Sequence, residues 1–289
     1  MQCEGTSRRR KVQFLSILFL VSSPTTAAWL IPEQQPDMRP WTCHGRSQTE
    51  LVDRLCQAGI IACPNVAKVM AAVDRKHYAG QQHQESCYRD TPLAIGQGQT
   101  ISAPHMHAYV LQALLPSLET KKKPLRLLDV GCGSGYLTAC FGRFLLQQQD
   151  GKGSVLGIDR HASLVETARD NIQRADGDVL DDAGGPVELV VADGWDGAPK
   201  NDDDDDAQTL WDVIHVGAAA DPDIPPALLT QLDPHGGRLL IPVGPNGAAQ
   251  TLVQVERTDV DVYERTELMQ VRYVPLVKGS NRPTETYEL

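Results

Sequence analysis

From residue 47 onward, apolar positions recur with two alternating periods. Ser47 followed by Glu50 makes a capping box, and Leu51 and Leu55 share one face of the helix it opens, which Gly59 can end. Val66, Val69, Met70 and Val73 predict a second helix over about 65–74. A polar connection through Cys87 to Pro92 leads into a glycine-rich segment at 95–102, and 103–115 reads as a third helix stopped by Pro116. The period then shortens. A compact apolar strand is predicted at 125–130, and a glycine turn joins it to a helix from about 136 to 146. Further strands are expected at 155–158, 187–192, 213–216 and 238–243, with helical spacing at 164–172 and a short helix near 227–232. Segments 251–256 and 269–274 close the pattern as antiparallel edge strands. This alternation predicts a three-layer α/β fold: a doubly wound, mainly parallel sheet with a helical N-terminal lead-in and no internal repeat.

Composition adds bounds rather than chemistry. The 289 residues are 41% hydrophobic and 22% charged, enough for one sizeable core and incompatible with a disordered chain. The net charge of -10 excludes a broad cationic surface for nucleic acid. Its distribution is uneven. Arg8, Arg9, Arg10 and Lys11 precede an apolar run at 12–21 and small residues at Thr26, Ala27 and Ala28, just before Trp29. That order is a signal-peptide pattern, with 1–28 as a targeting segment and 29–46 as a linker. Entry into the secretory pathway or an organelle is the expectation, against a cytoplasmic chain with a frayed or misassigned start. An aromatic after such a site also fits plastid import. The run is about half the roughly 20 residues a spanning helix needs, so no membrane anchor is expected. The acidic run at 202–206 reads as a solvated loop insertion. Cys43, Cys56, Cys63, Cys87, Cys132 and Cys140 form no C-x-x-C pair and read as ordinary thiols, with neither a metal site nor disulfides expected.

Candidate chemistry gathers at the predicted strand ends, where such sheets bind ligands. The first sheet strand ends in Asp129-Val130-Gly131-Cys132-Gly133-Ser134-Gly135. Alternating glycines let the backbone turn sharply and approach a ligand, with helix amides aimed at the same place. A dinucleotide fingerprint needs a small residue at 136, where Tyr136 stands, so a nucleoside-type cofactor is expected instead. Asp159, closing the next strand, suits the two hydroxyls of a ribose or, alternatively, a helix N-cap. Asp193-Gly194 flanks a base edge or simply forms a turn.

These features in this order resemble the class I S-adenosylmethionine-dependent methyltransferases. Gln99-Thr100-Ile101-Ser102-Ala103-Pro104-His105-Met106-His107-Ala108 narrows the resemblance to the protein-L-isoaspartate O-methyltransferases. Segments 73–78, 212–219, 236–239, 241–245 and 273–276 are similar to that family as well, so the likeness runs from about 47 to 276. It implies a Rossmann-like methyltransferase domain at 47–277. The implied reaction is methyl transfer from S-adenosyl-L-methionine to the α-carboxyl of L-isoaspartyl residues, and more weakly D-aspartyl residues, in damaged proteins. Carried over residue by residue, the catalytic serine is Ser102. The cofactor contacts are Gln99, Thr100, Ile101, Ser102, His107, Asp129, Gly131, Cys132, Gly133, Ser134, Gly135, Asp159, Arg160, Asp193 and Gly194. Ser102 also suits the N-cap of the following helix, His107 suits packing, and His215 suits a structural hydrogen bond. A monomer without nucleic-acid partners is implied. Rival expectations are a non-catalytic cofactor-binding adaptor of the same fold and a methyltransferase acting on RNA or a small metabolite. One departure concerns the tail at 278–289. Val277 and Arg282 stand where the family carries a threonine and a glutamine, so closure of the cofactor site by the tail is open.

Overall fold

The computed structural model describes residues 43–119, 121, 123–148, 152–199 and 210–279. The signal-like segment, the acidic run at 202–206 and Arg282 lie outside the described residues. Helix α1 (Gln48–Gln57) starts at the expected cap: Ser47 Oγ accepts from Glu50 N at 3.2 Å. Glu50 returns not to the Ser47 amide but to Arg46 N at 3.0 Å, one residue earlier. Gly59, with φ of +73°, follows the end of the helix as anticipated. In α2 (Pro64–Ala72), Val66, Val69 and Met70 are buried, as is Val73 just beyond. Next come β1 (Leu93–Gly96), β2 (Gln99–Ile101) and α3 (Pro104–Leu114).

The main sheet follows as β3 (Leu125–Val130), β4 (Gly153–Asp159), β5 (Val187–Val191), β6 (Val213–Val216), β7 (Gly237–Val243), β8 (Gln250–Asp259) and β9 (Val262–Val271). Between strands lie α4 (Tyr136–Gln148), α5 (Ala162–Asp176) and α6 (Pro226–Thr230). Strand order is β5-β4-β3-β6-β7-β8-β9. The first five strands are parallel and β8 and β9 antiparallel. The chain leaves β3 in one direction and returns at β6 on the other side, so the switch point lies between β3 and β6. This is the Rossmann-like arrangement the alternation predicts.

Strand β3 shows how the layers form. Leu125 and Leu127 face a core shared with α1 to α5, while Leu128 and Val130 face a second core closed by α6, Trp211 and Ala198. Period-two alternation with both faces apolar is what a sheet covered on both sides requires. The lead-in helices therefore belong to the same layer as α4 and α5.

The glycine-rich segment 95–102, to which the sequence assigned no element, carries the end of β1, the turn and β2 of a two-stranded hairpin. Two expectations change. Helix α3 begins at Pro104 with Ala103 as its cap, so Ser102 stands outside the helix and is not its N-cap. The last strand spans 262–271 rather than 269–274, because the edge strand β9 is exposed over most of its length and lacks the apolar alternation that marks a covered strand. No helix of the described residues is long and apolar enough to cross a membrane.

Candidate active site

The loop after β3 is fixed by its neighbour strand: Gly131 N and Cys132 N both donate to Ile158 O, at 2.8 and 3.0 Å. Gly131, Gly133 and Gly135 have φ of +78°, +54° and +87°, a region side chains rarely enter. At Gly135 a Cβ would also lie 3.0 Å from Ala168 Cβ, so α5 packs directly on the turn. Ser134 is buried, and its carbonyl accepts from Asn171 Nδ2 of α5 at 3.0 Å. Burial pushes the Cys132 thiol well above its ordinary value, with Asp159 and Asp129 adding to the shift. That sulfur is inert packing. The backbone is thus held open over the switch point by packing on two sides.

Asp159 is not the N-cap of α5, a place His161 takes with no side-chain cap bond. Asp159 Oδ2 accepts from Gly133 N at 3.2 Å, tying it to the glycine loop, and its Oδ1 accepts from His161 N at 3.0 Å at the start of α5. A carboxylate has about four lone-pair directions, so each oxygen retains one for a ribose hydroxyl. Burial raises the Asp159 pKa, opposed by those two amides. The β1–β2 hairpin leans over the same place. A Cβ on Gly133 would meet Ile95 Cδ1 at 3.0 Å, and Gln97 Nε2 donates to Ser163 Oγ at 3.1 Å. Gln99 and Thr100 are half-buried in β2, while Ile101 is buried in the core. Ser102 directly follows.

A strap at 272–279, which the sequence reading left open, crosses the carboxyl ends of the strands. Ala219 N donates to Val274 O and Leu276 N to Ala219 O, at 2.8 and 2.7 Å. Gln250 grips Tyr273 by both polar groups: Tyr273 N donates to its Oε1 at 2.7 Å, and its Nε2 donates to Tyr273 O at 3.1 Å. Trp195 Nε1 donates to Leu276 O at 2.8 Å, and Lys278 Nζ stands 5.9 Å from the centre of the Trp195 ring. Arg160 and Asp193, predicted cofactor contacts, meet the strap. Arg160 donates to Val277 O and Gly279 O, at 3.3 and 3.0 Å, and Asp193 Oδ2 accepts from Gly279 N at 2.8 Å. Asp193 Oδ1 accepts from Trp195 N, which is the turn reading. At Gly194 a Cβ would fall 2.4 Å from Val130 Cγ1 and 3.1 Å from Leu276 Cδ1, so only glycine lets the strap settle there.

Beneath this mouth lies a polar cluster on the helical face. Asp129 is almost fully buried, with Oδ2 accepting from Thr138 Oγ1 and Oδ1 against His215 Nδ1 at 2.8 Å. It supports the loop from below, and His215 has the structural role expected of it. His107 is buried 4.8 Å from the Tyr136 ring and 3.3 Å from Arg75 Nη1. The Ser102 hydroxyl meets the Tyr273 phenol, which burial pushes up to about 12 and the serine contact pulls back. Tyr273, Gln250, Trp195 and Arg75 were missed as site residues. Arg75 and Tyr273 lie in segments 73–78 and 273–276 that carry the family resemblance, but only the return of the strap and the turn after α2 bring the four here. Among the described residues no three metal-ligating side chains cluster. An adenosyl group fits the open glycine backbone and the two unfilled Asp159 lone pairs.

The comparisons agree. The sequence model of the protein-L-isoaspartate(D-aspartate) O-methyltransferases matches residues 46–281. Protein-L-isoaspartate O-methyltransferase 1 of Arabidopsis thaliana is 40% identical over 227 residues, covering 78% of this chain and 89% of its own. The Triticum aestivum protein-L-isoaspartate O-methyltransferase is 39% identical over 231 residues, covering 80% and 91%. A solved Plasmodium falciparum structure, described as a beta-aspartate methyltransferase in complex with S-adenosyl-L-homocysteine, superposes with a TM-score of 0.69 at 32% identity. It covers 81% of this chain and 100% of its own. With a family match over most of its length and relatives at this identity, the chain belongs to the protein-L-isoaspartate(D-aspartate) O-methyltransferase family.

Proposed function

We propose that this chain repairs damaged proteins by methylating the α-carboxyl of L-isoaspartyl residues, and more weakly D-aspartyl residues, with S-adenosyl-L-methionine as methyl donor. One observation carries the reading: the glycine cradle after β3 is tied to Asp159, a ribose-type carboxylate, under a strap whose Tyr273 meets the Ser102 hydroxyl. When bound, the donor supplies a methyl group already activated by its sulfonium.

The substrate carboxylate is already ionised at neutral pH, so the chain has no proton to remove. Its work is alignment and exclusion of water. Orientation of this kind supplies roughly 7–11 kcal/mol in favourable cases. The bare backbone of the Gly131 to Gly135 loop, whose amides at 131, 132, 133 and 135 are already bonded within the protein, and Asp159 hold the nucleoside end. Gln99, Thr100, Ile101 and His107 line its other side, while Arg160, Asp193 and Gly194 act by anchoring the strap. Ser102 donates one hydrogen bond that aims the substrate carboxylate. The half-buried, neutral Tyr273 phenol stands against that hydroxyl.

The test is a methyl-transfer assay with labelled S-adenosyl-L-methionine, an isoaspartyl peptide and its normal aspartyl counterpart. Label in the isoaspartyl peptide alone is expected. No label in it, or equal label in both, counts against the function. Residues 1–28 are proposed as a targeting segment, and a C-terminally tagged fusion with and without them tests it. The same diffuse distribution of both forms would dismiss the segment.

A further inference from the structure

Arg75 lies one turn beyond α2 and is fully buried, yet among the described residues it makes no ion pair with a carboxylate. Its guanidinium donates from Nε to Cys87 O at 3.0 Å and from Nη2 to Thr91 O at 3.4 Å. Its Nη1 stands 3.3 Å from His107 Nδ1. Both side chains rest on one platform. The guanidinium carbon is 5.9 Å from the centre of the Tyr136 ring, and the His107 ring is 4.8 Å from it at a tilt of 46°. Tyr136 is the residue that breaks the dinucleotide pattern at the end of the glycine loop, and the structure gives its bulk this use.

The chemistry of the contact leaves one arrangement. A guanidinium carries only donors. Burial lowers Arg75 to about 10, so it stays charged at neutral pH. His107 Nδ1 must therefore offer its lone pair. A neutral imidazole with a free Nδ1 carries its proton on Nε2, and a protonated ring would set two donors face to face. Other polar groups face His107 from every side. They are His105 of α3, paired with Asp90 at 2.7 Å, His215 of β6, paired with Asp129 at 2.8 Å, and the Tyr136 ring of α4. Burial first, then Arg75, His215 and His105, push His107 well below its ordinary value. Among the described residues His107 Nε2 has no hydrogen-bond partner.

We propose that Arg75 is a positioning residue that fixes His107 as the neutral Nε2–H tautomer, presenting one oriented donor to the bound cofactor. The cofactor end of this inference rests on the function proposed above. The tautomer does not, and is read on the protein alone.

Long-range nitrogen–proton NMR correlations of the imidazoles test it first. His107 should show a protonated Nε2 and a lone-pair Nδ1, unchanged from about pH 5.5 to 8, where an ordinary histidine titrates. A protonated Nδ1, or titration in that range, overturns the proposal whether or not the chain binds any cofactor. The second arm measures S-adenosyl-L-homocysteine affinity against pH. The wild type should be flat. In Arg75→Met, burial, His215 and His105 still hold His107 neutral, but nothing fixes its tautomer, so affinity should fall about fivefold across the range (about 1 kcal/mol). Arg75→Gln keeps a neutral donor toward Nδ1 and should restore the affinity. Equal losses in the two variants would mean that Arg75 serves only the fold. No binding by the wild type would instead count against the function and leave the tautomer result standing.

Discussion

At the scale of single residues, the site divides between side chains that act and backbone that must stay bare. In the proposed function Ser102 is the acting residue. Its hydroxyl serves neither as helix cap nor as nucleophile, and its one described neighbour is the Tyr273 phenol. A hydrogen bond to a charged carboxylate is worth about 1.5–3 kcal/mol. Ser102→Ala should therefore slow methyl transfer by about 10- to 150-fold. Affinity for S-adenosyl-L-homocysteine, measured by calorimetry, should be nearly unchanged. A loss confined to cofactor binding would move Ser102 out of the catalytic role. Gly194 is the bare position whose cost is easiest to foresee. An added methyl there would stand 2.4 Å from Val130 Cγ1 and 3.1 Å from Leu276 Cδ1, between β3 and the strap. Overpacking of this kind typically costs about 1–3 kcal/mol. Gly194→Ala should lower the urea midpoint by a corresponding amount and loosen the strap, read as faster protease cleavage near residue 276. An unchanged midpoint and cleavage rate would mean that Val130 and Leu276 give way freely.

The strap is the element on which closure depends, and its anchors differ in kind. Gln250 pins its start through both polar groups of Tyr273, whereas Trp195 holds its middle through one indole N–H to Leu276 O. Trp195→Phe keeps most of the ring and removes that bond, a change worth about 1 kcal/mol. The expected outcome is a cofactor KM raised about fivefold with kcat little altered. A fall in kcat at constant KM would place the indole in the reaction rather than in closure. How far such elements are legible follows from where their information lies. The 129–135 loop can be read from sequence because positive φ leaves almost no choice but glycine, and Asp159 because a strand end before a helix favours it. Strands β3 and β6 are legible because both faces are covered, which writes continuous apolar runs. The strap is legible only through segment 273–276, which carries the family resemblance, and not from its own pattern. It has no period of its own, and its hydrogen bonds go to Ala219, Gln250 and Trp195, distant in sequence. The β1–β2 hairpin is hidden for a related reason. Its turn uses Gln97 at φ of +55° between two glycines, a pattern that reads as irregular loop.

For the whole molecule, the charge balance also bears on the substrate. The chain carries a net charge of -10, and an isoaspartyl residue adds a free carboxylate to any peptide that contains it. Encounter is then opposed at long range while Ser102 favours the same carboxylate at contact. The two act over different distances, so salt separates them. The Debye length is about 30 Å at 0.01 M and about 10 Å at 0.1 M ionic strength, so added salt removes the distant repulsion and leaves the hydrogen bond intact. For an acidic isoaspartyl peptide, kcat/KM should rise about two- to fivefold between those ionic strengths, and for a lysine-rich peptide it should fall. The test compares two peptides that differ only in flanking residues, at fixed cofactor saturation. A common response of both would locate the salt effect in the cofactor or the strap, where Arg160 and Asp193 hold the tail. Opposite responses would show that the acidic surface selects against acidic clients before Ser102 is reached, so preference among damaged proteins is set partly by charge far from the reacting carboxylate.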